Sequence, residues 1–114
     1  MKGDRSYLEH VLDAIERVES YTRDGEQAFI EDLRTQDAVV RNLEVIGEAV
    51  KNLSADTRAK RPEVPWREIA GMRDKMIHEY FGVDLRVVWD AVQTDLPRLR
   101  ESVRAILEES SNQA

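Results

Sequence analysis

The sequence predicts an all-α fold, an antiparallel four-helix bundle with short additional helical turns. Three observations carry this expectation. Ala, Leu, Glu and Arg are abundant, whereas aromatic residues make up only 6% of the chain and prolines number 3, a composition that favours helix. Apolar residues recur at intervals of three and four rather than alternating. The connections between these stripes are short, as antiparallel neighbours in a bundle require. At 114 residues the chain predicts a single helical domain, 1–114, able to bury one core without disulfides or metals.

Asp4 is a good N-cap for a first helix running to about Thr22, because a short side-chain oxygen can accept from the free N–H groups of the first turn. Leu8, Val11, Leu12, Ile15 and Val18 share one face of it, and Glu9, Asp13, Glu16 and Arg17 turn away. His10 lies on the charged face, where the plain expectation is a surface histidine without a chemical task. Gly25 suits the chain reversal. A short helical segment over Gln27 to Leu33 leads into a long helix from about Asp37 to Leu53, with Val39, Leu43, Ile46, Val50 and Leu53 as its core stripe. Gly47 interrupts that helix at a cost of about 1 kcal/mol relative to alanine, so either a close helix approach or a small open space is expected beside it.

Ser54 can cap a short turn through Arg58, and Pro62 and Pro65 then force an extended connection before Trp66 opens the next helix. Ile69, Met72, Met76 and Ile77 carry that helix to Phe81, with Gly82 ending it. Asp84 caps a last stretch whose Leu85, Val88, Trp89, Val92, Leu96, Leu99, Val103 and Ile106 keep helical spacing. Pro97 removes a backbone donor there, which predicts a kink or a restart near Asp95. The polar tail 108–114 is expected to fray. Trp66 and Trp89 read as core anchors.

The chain contains 0 cysteines, which excludes disulfide frameworks, thiolate zinc sites and cysteine nucleophiles and suits a reducing cytoplasm. No apolar run approaches the roughly 20 residues needed to span a bilayer, and Met1-Lys2-Gly3-Asp4 turns acidic at once, so neither a membrane anchor nor a secretion signal is expected. The net charge of −6 argues against tight non-specific binding of nucleic acid, which depends on counterion release by Lys and Arg. Residues 51–75 reverse the sign: Lys51, Arg58, Lys60, Arg61, Arg67, Arg73 and Lys75 face only Asp56, Glu63, Glu68 and Asp74. An ordinary solvated surface can segregate charge to this extent, but the most reactive residues lie at the end of this stretch.

Arg73 to Tyr80 concentrates a guanidinium, an imidazole and a phenol near a helix C-terminus. Arg and His there can simply bond free carbonyls and favour the helix dipole. At about 100° per residue, Arg73 and Tyr80 share a face within about 20°, Asp74 and His78 lie one turn apart and can touch, and His78 is about 140° from Arg73. Spacing alone therefore does not unite Arg73 and His78 of one chain. A two-fold homodimer offers a way round this, since identical patches meet across the axis and two imidazoles reach one cleft. That pairing suits RNA cleavage by the ribose 2′-hydroxyl. One histidine takes the hydroxyl proton, the other protonates the leaving oxygen, and arginine stabilises charge on the phosphate, with no metal or other cofactor required. Histidine titrates near neutral pH, so both roles are open to it.

Arg73-x-x-x-x-His78-x-Tyr80 resembles the R-x-x-x-x-H-x-Y motif of HepT, a toxin subfamily of the HEPN nuclease superfamily. Its surroundings are similar too: Pro65 to Met72 before it, Val83-Asp84 and Val88-Trp89 after it, and Arg41 to Ala49 upstream. The likeness extends from Tyr7 to about Val103. It implies a HEPN-like helical ribonuclease that dimerises to form a composite, metal-independent site and is paired with an antitoxin of the minimal nucleotidyltransferase type, MntA. It also implies that Arg73 and His78 form the catalytic pair and that the antitoxin silences the toxin by transferring AMP to Tyr80. An adenylylated Tyr80 would place a negative phosphate on the Arg73 face, in competition with RNA for the guanidinium.

Glu48 and Asp74 are candidate supporting partners of that pair, and Arg67 and Lys75 candidate contacts to the RNA backbone. The substrate expected is tRNA or mRNA. The alternative is a non-catalytic helical module that binds a nucleotide or a nucleotidyltransferase partner, which the acidic overall charge would suit.

Overall fold

The computed structural model describes residues 2–78 and 84–112. Among them the regular structure is entirely helical: α1 (Lys2–Tyr21), α2 (Glu26–Glu31), α3 (Leu33–Lys51), α4 (Ala55–Ala59), α5 (Trp66–His78), α6 (Leu85–Asp90), a π-helical turn (Ala91–Asp95) and α7 (Leu96–Asn112). The helix α3 packs against both α1 and α5, and α1 also packs against α7. Their shared core contains Leu8, Val11, Ile15 and Val18 of α1, Val39, Leu43, Ile46 and Val50 of α3, and Leu99, Val103 and Ile106 of α7, all buried. These are the stripes that helical periodicity marks. Burying each such side chain contributes about 1.5–3 kcal/mol. None of the described helices is long and apolar enough to cross a membrane.

Asp4 does not cap α1, which already begins at Lys2. Its carboxylate instead reaches the start of α4, where it accepts hydrogen bonds from the Ser54 hydroxyl at 2.6 Å, the Ser54 backbone N–H at 3.2 Å and the Thr57 hydroxyl at 2.5 Å. Burial pushes the Asp4 carboxyl upward, but the hydrogen bonds from Ser54 and Thr57 outweigh it and hold the group below its ordinary range. Ser54 also caps α4 as expected, its hydroxyl oxygen accepting from Thr57 N–H at 3.2 Å.

The long helix α3 begins at Leu33, four residues before the expected start at Asp37. The cause is Asp32, whose carboxylate accepts from Arg34 N–H at 3.0 Å, satisfying a donor that the first turn leaves free, and from the Thr35 hydroxyl at 2.9 Å. The proline-rich connection closes on Trp66, which is buried and whose indole N–H donates to the carbonyls of Arg58 and Arg61 at 3.0 and 2.9 Å. Trp89 is half-buried and its ring lies 5.6 Å from that of Phe29. Both tryptophans therefore anchor the core.

Asp84 caps α6 through Arg86 N–H at 2.9 Å. The irregularity expected near Asp95 is the π-helical turn, in which Leu96 N–H reaches back to the carbonyl of Ala91. A wider turn relieves the clash between the Pro97 ring and the carbonyl one turn earlier. Helical backbone continues past Glu108 to Asn112. The expected end of α5 at Phe81 and Gly82 lies outside the described residues.

Candidate active site

The site is built on the crossing of α3 and α5, and Gly47 sets its closeness. A Cβ at position 47 would lie 2.8 Å from the backbone nitrogen of Arg73, 3.0 Å from the carbonyl oxygen of Ile69 and 3.2 Å from the Arg73 Cβ. Any larger residue would push the helices apart. Close approach, rather than open space, is thus why glycine stands inside a helix that it weakens.

The next residue on α3 uses that proximity. Glu48 Oε2 forms an ion pair with Arg73 Nε at 2.7 Å, and Arg73 Nη1 donates to Asp74 Oδ1 at 3.1 Å. Two carboxylates therefore orient one guanidinium, and both were expected as supporting partners. The pair is only half-covered, with side-chain exposures of 38% for Arg73 and 50% for Glu48. Solvent screens it, and its contribution to stability stays within about 1 kcal/mol. Its significance is positional: the guanidinium stands at a fixed place with an open side toward solvent.

That open side belongs to a cleft of about 340 Å³ between α1, α3 and α5. Tyr7 and His10 of α1 form one wall, Arg41, Glu44, Val45, Glu48 and Ala49 of α3 another, and Arg73 closes it from α5. Arg41 Nη1 meets Glu44 Oε2 at 3.4 Å, and the rings of Tyr7 and His10 meet edge to face with centroids 6.5 Å apart. A larger hollow of about 530 Å³ lies between α3, α5, the π-helical turn and α7. Its walls, among them Leu43, Ile69, Met72, Leu96 and Leu99, are chiefly apolar and, among the described residues, contain none of the motif.

The backbone of α5 is helical through His78, so the angular separation of about 140° between positions 73 and 78 applies. The structure brings together Arg73, Glu48 and Asp74. The side chains of Lys75 and His78, and Tyr80 altogether, lie outside the described residues. Arg67 is exposed on α5, and among the described residues of the basic stretch Arg73 alone lines the cleft. Arg58 turns to the carbonyl of Leu53 at 2.9 Å, and Arg61 pairs with Glu109. Among the described residues no group of three or more His, Cys, Asp or Glu is placed to hold a metal ion.

Sequence reasoning found Glu48 on the α3 wall but missed the α1 wall and the part of Arg41 and Glu44. His10 reads as a surface residue, yet it shares the cleft with Arg73. A signal was present in α3, where Arg41, Glu44 and Glu48 fall at intervals of three and four and form a polar stripe beside the apolar one.

Residues 11–106 match the family model described as ribonuclease HepT-like. The chain belongs to the HepT-like ribonuclease family. This HepT-like chain is 48% identical over 112 residues to a candidate RNase of Caldanaerobacter subterraneus subsp. tengcongensis, covering 95% of the chain and 97% of that relative. It is 50% identical over 100 residues to a candidate ribonuclease HepT of Thermococcus cleftensis, covering 87% and 91%. A protein of Methanocaldococcus jannaschii described as a gamma-glutamylcyclotransferase and candidate RNase is 47% identical over 109 residues, but the HepT-like chain spans only 49% of its length. No solved structure matches.

Proposed function

We propose that this HepT-like chain is the toxin of a toxin-antitoxin pair, an endoribonuclease that cuts cytoplasmic tRNA or mRNA without a metal at a site shared by two protomers. The observation that carries the reading is the Arg73 guanidinium, set by the Gly47 crossing and oriented by Glu48 and Asp74 at the mouth of an open cleft. A guanidinium so held presents remaining N–H donors to a phosphate in fork geometry.

In this reading His78 of each subunit meets the other across the two-fold axis of a homodimer. One imidazole removes the proton from a ribose 2′-hydroxyl, whose oxygen then attacks the adjacent phosphorus. The bond from phosphorus to the 5′-oxygen breaks, the second imidazole protonates that oxygen, and Arg73 stabilises the charge that builds on the phosphoryl oxygens. General acid-base assistance supplies about 10²- to 10⁴-fold, and a preorganised donor at the developing charge about 10²- to 10³-fold. The phase of α5 supports sharing, because positions 73 and 78 of one helix face about 140° apart. Arg67 and Lys75 extend the contact to the RNA backbone.

Regulation falls to Tyr80. A minimal nucleotidyltransferase antitoxin of the MntA type transfers AMP from a nucleoside triphosphate to the phenol oxygen, releasing pyrophosphate. The phosphate so introduced occupies the Arg73 guanidinium in place of RNA.

Expression of the chain alone tests this reading. Growth is expected to slow, Arg73→Ala or His78→Ala to relieve the effect, and co-expression of a minimal nucleotidyltransferase of the MntA type to add AMP to the wild type but not to Tyr80→Phe. Equal toxicity from wild type and both site variants overturns the site. Intact RNA after incubation with unmodified dimer favours a module that only binds a nucleotide or partner.

A further inference from the structure

We propose that the Arg73 cleft also seats the nucleotide next to the cut, with Tyr7 of α1 stacking on its base, His10 meeting that base edge-on and Arg41 of α3 holding its phosphate. The ligand class, single-stranded RNA, rests on the ribonuclease reading above.

The two walls of the cleft differ in chemistry. On the α1 side Tyr7 is packed against the core and half-buried, while His10, one turn on, is exposed. Their rings stand at 86° to one another, so a base lying parallel to the tyrosine ring meets the imidazole edge-on. Core packing fixes the tyrosine, which lowers the ordering cost when a flat ligand arrives.

On the α3 side each arginine is matched by a glutamate: Arg73 by Glu48 at 2.7 Å and Arg41 by Glu44 at 3.4 Å. Glu44 and Glu48 are one turn apart, about 6 Å along the axis. The guanidiniums they hold are therefore staggered along the cleft and face successive phosphates rather than one. The longer pair involves the more open arginine, since the Arg41 side chain is 73% exposed, and a phosphate can draw it from its glutamate.

Two arginines paired with Glu44, Glu48 and Asp74 leave the cleft without net positive charge, so phosphate contacts alone recover little net attraction. Stacking supplies the missing affinity. It also tolerates any base sequence, because every base offers a π-face.

Binding of a fluorescein-labelled 2′-O-methyl RNA oligonucleotide, which cannot be cut by 2′-hydroxyl attack, tests the seat without catalysis. Fluorescence anisotropy compares it with the same strand carrying abasic residues. Wild type is expected to prefer the base-bearing strand about ten-fold. Tyr7→Ala and His10→Ala should each bring that ratio toward one, and Tyr7→Phe should keep it, since the ring rather than the hydroxyl is used. Arg41→Ala is expected to weaken both strands alike and to lower the salt slope by about one.

His10 is exposed, so its variant remains informative if Tyr7→Ala fails to fold. No preference in the wild type, or an unchanged preference in Tyr7→Ala and His10→Ala, overturns the seat. Digestion of ordinary RNA by the same preparations separates the two readings. Cutting without base preference removes the stacking seat alone, and base preference without cutting removes the ribonuclease reading alone.

Discussion

The Cβ that Gly47 lacks would stand 2.8 Å from the backbone nitrogen of Arg73. The obstacle is backbone, which cannot rotate aside as a side chain can, so α3 and α5 must separate if position 47 gains even a methyl group. The helix propensity lost by placing glycine there is about 1 kcal/mol, and the packing it permits places Glu48 against Arg73. Gly47→Ala is therefore expected to destabilise the protein by about 1–3 kcal/mol, the usual cost of overpacking, despite alanine's better propensity. Urea denaturation measures this, and a stabilised variant would show that the helices part freely.

Removal of Arg73 should lower RNA cleavage more than it lowers stability. The guanidinium is more than one-third exposed, so its ion pairs contribute within about 1 kcal/mol to folding. The loss of activity expected for Arg73→Ala is about 10²-fold or greater. Arg73→Lys should restore little, because an ammonium cannot meet Glu48, Asp74 and a phosphate with one planar fork. Thermal melts alongside initial rates make the comparison.

Glu48 acts through Arg73, so Glu48→Gln tests positioning. The amide keeps the shape of the side chain and an oxygen beside Arg73 Nε but loses the charge. An effect concentrated in kcat, with a change in KM of less than about three-fold, is expected if the carboxylate holds the guanidinium for the transition state. A fall in KM with kcat unchanged would mean that Glu48 serves only to compete with RNA.

Acid should loosen the link between α1 and α4. Hydrogen bonds from Ser54 and Thr57 hold the Asp4 carboxyl below its ordinary range, so the folded state binds its proton less readily than the unfolded chain. The stabilisation is complete above the ordinary aspartate range and is lost as pH falls below about 4, through the depressed folded value. Asp4→Asn turns an amide toward these donors and is expected to cost about 1–3 kcal/mol at neutral pH. Below about pH 3 the difference from wild type should narrow, as measured by denaturation at several pH values.

The apolar stripes of α1, α3 and α7 were legible because burial follows the helical period, and Ser54 and Asp84 were legible as caps because their side chains act on the next turn. The start of α3 was not. Leu33 opens the helix yet is 65% exposed, so it adds nothing to the core stripe, and only the hydrogen bonds of Asp32 reveal the boundary. Asp4 carries the signature of a cap in sequence, but its partners lie 50 and 53 residues away, beyond any local pattern. In the candidate site, Arg73 and its carboxylates were visible from spacing and resemblance. Gly47 allowed two explanations until its neighbour was known, and the approach of Tyr7 and His10 to Arg73 depends on helix packing that no local window contains.

Digestion of an RNA strand by the wild type, Arg73→Ala and His78→Ala, each in EDTA and beside a matched DNA strand, tests the central claim most directly. Cleavage of RNA alone by the wild type, unaffected by EDTA and lost in both variants, is the expected result. Wild-type rates in either variant, or cutting of the DNA, would contradict a site in which Arg73 and His78 direct the 2′-hydroxyl against its neighbouring phosphate.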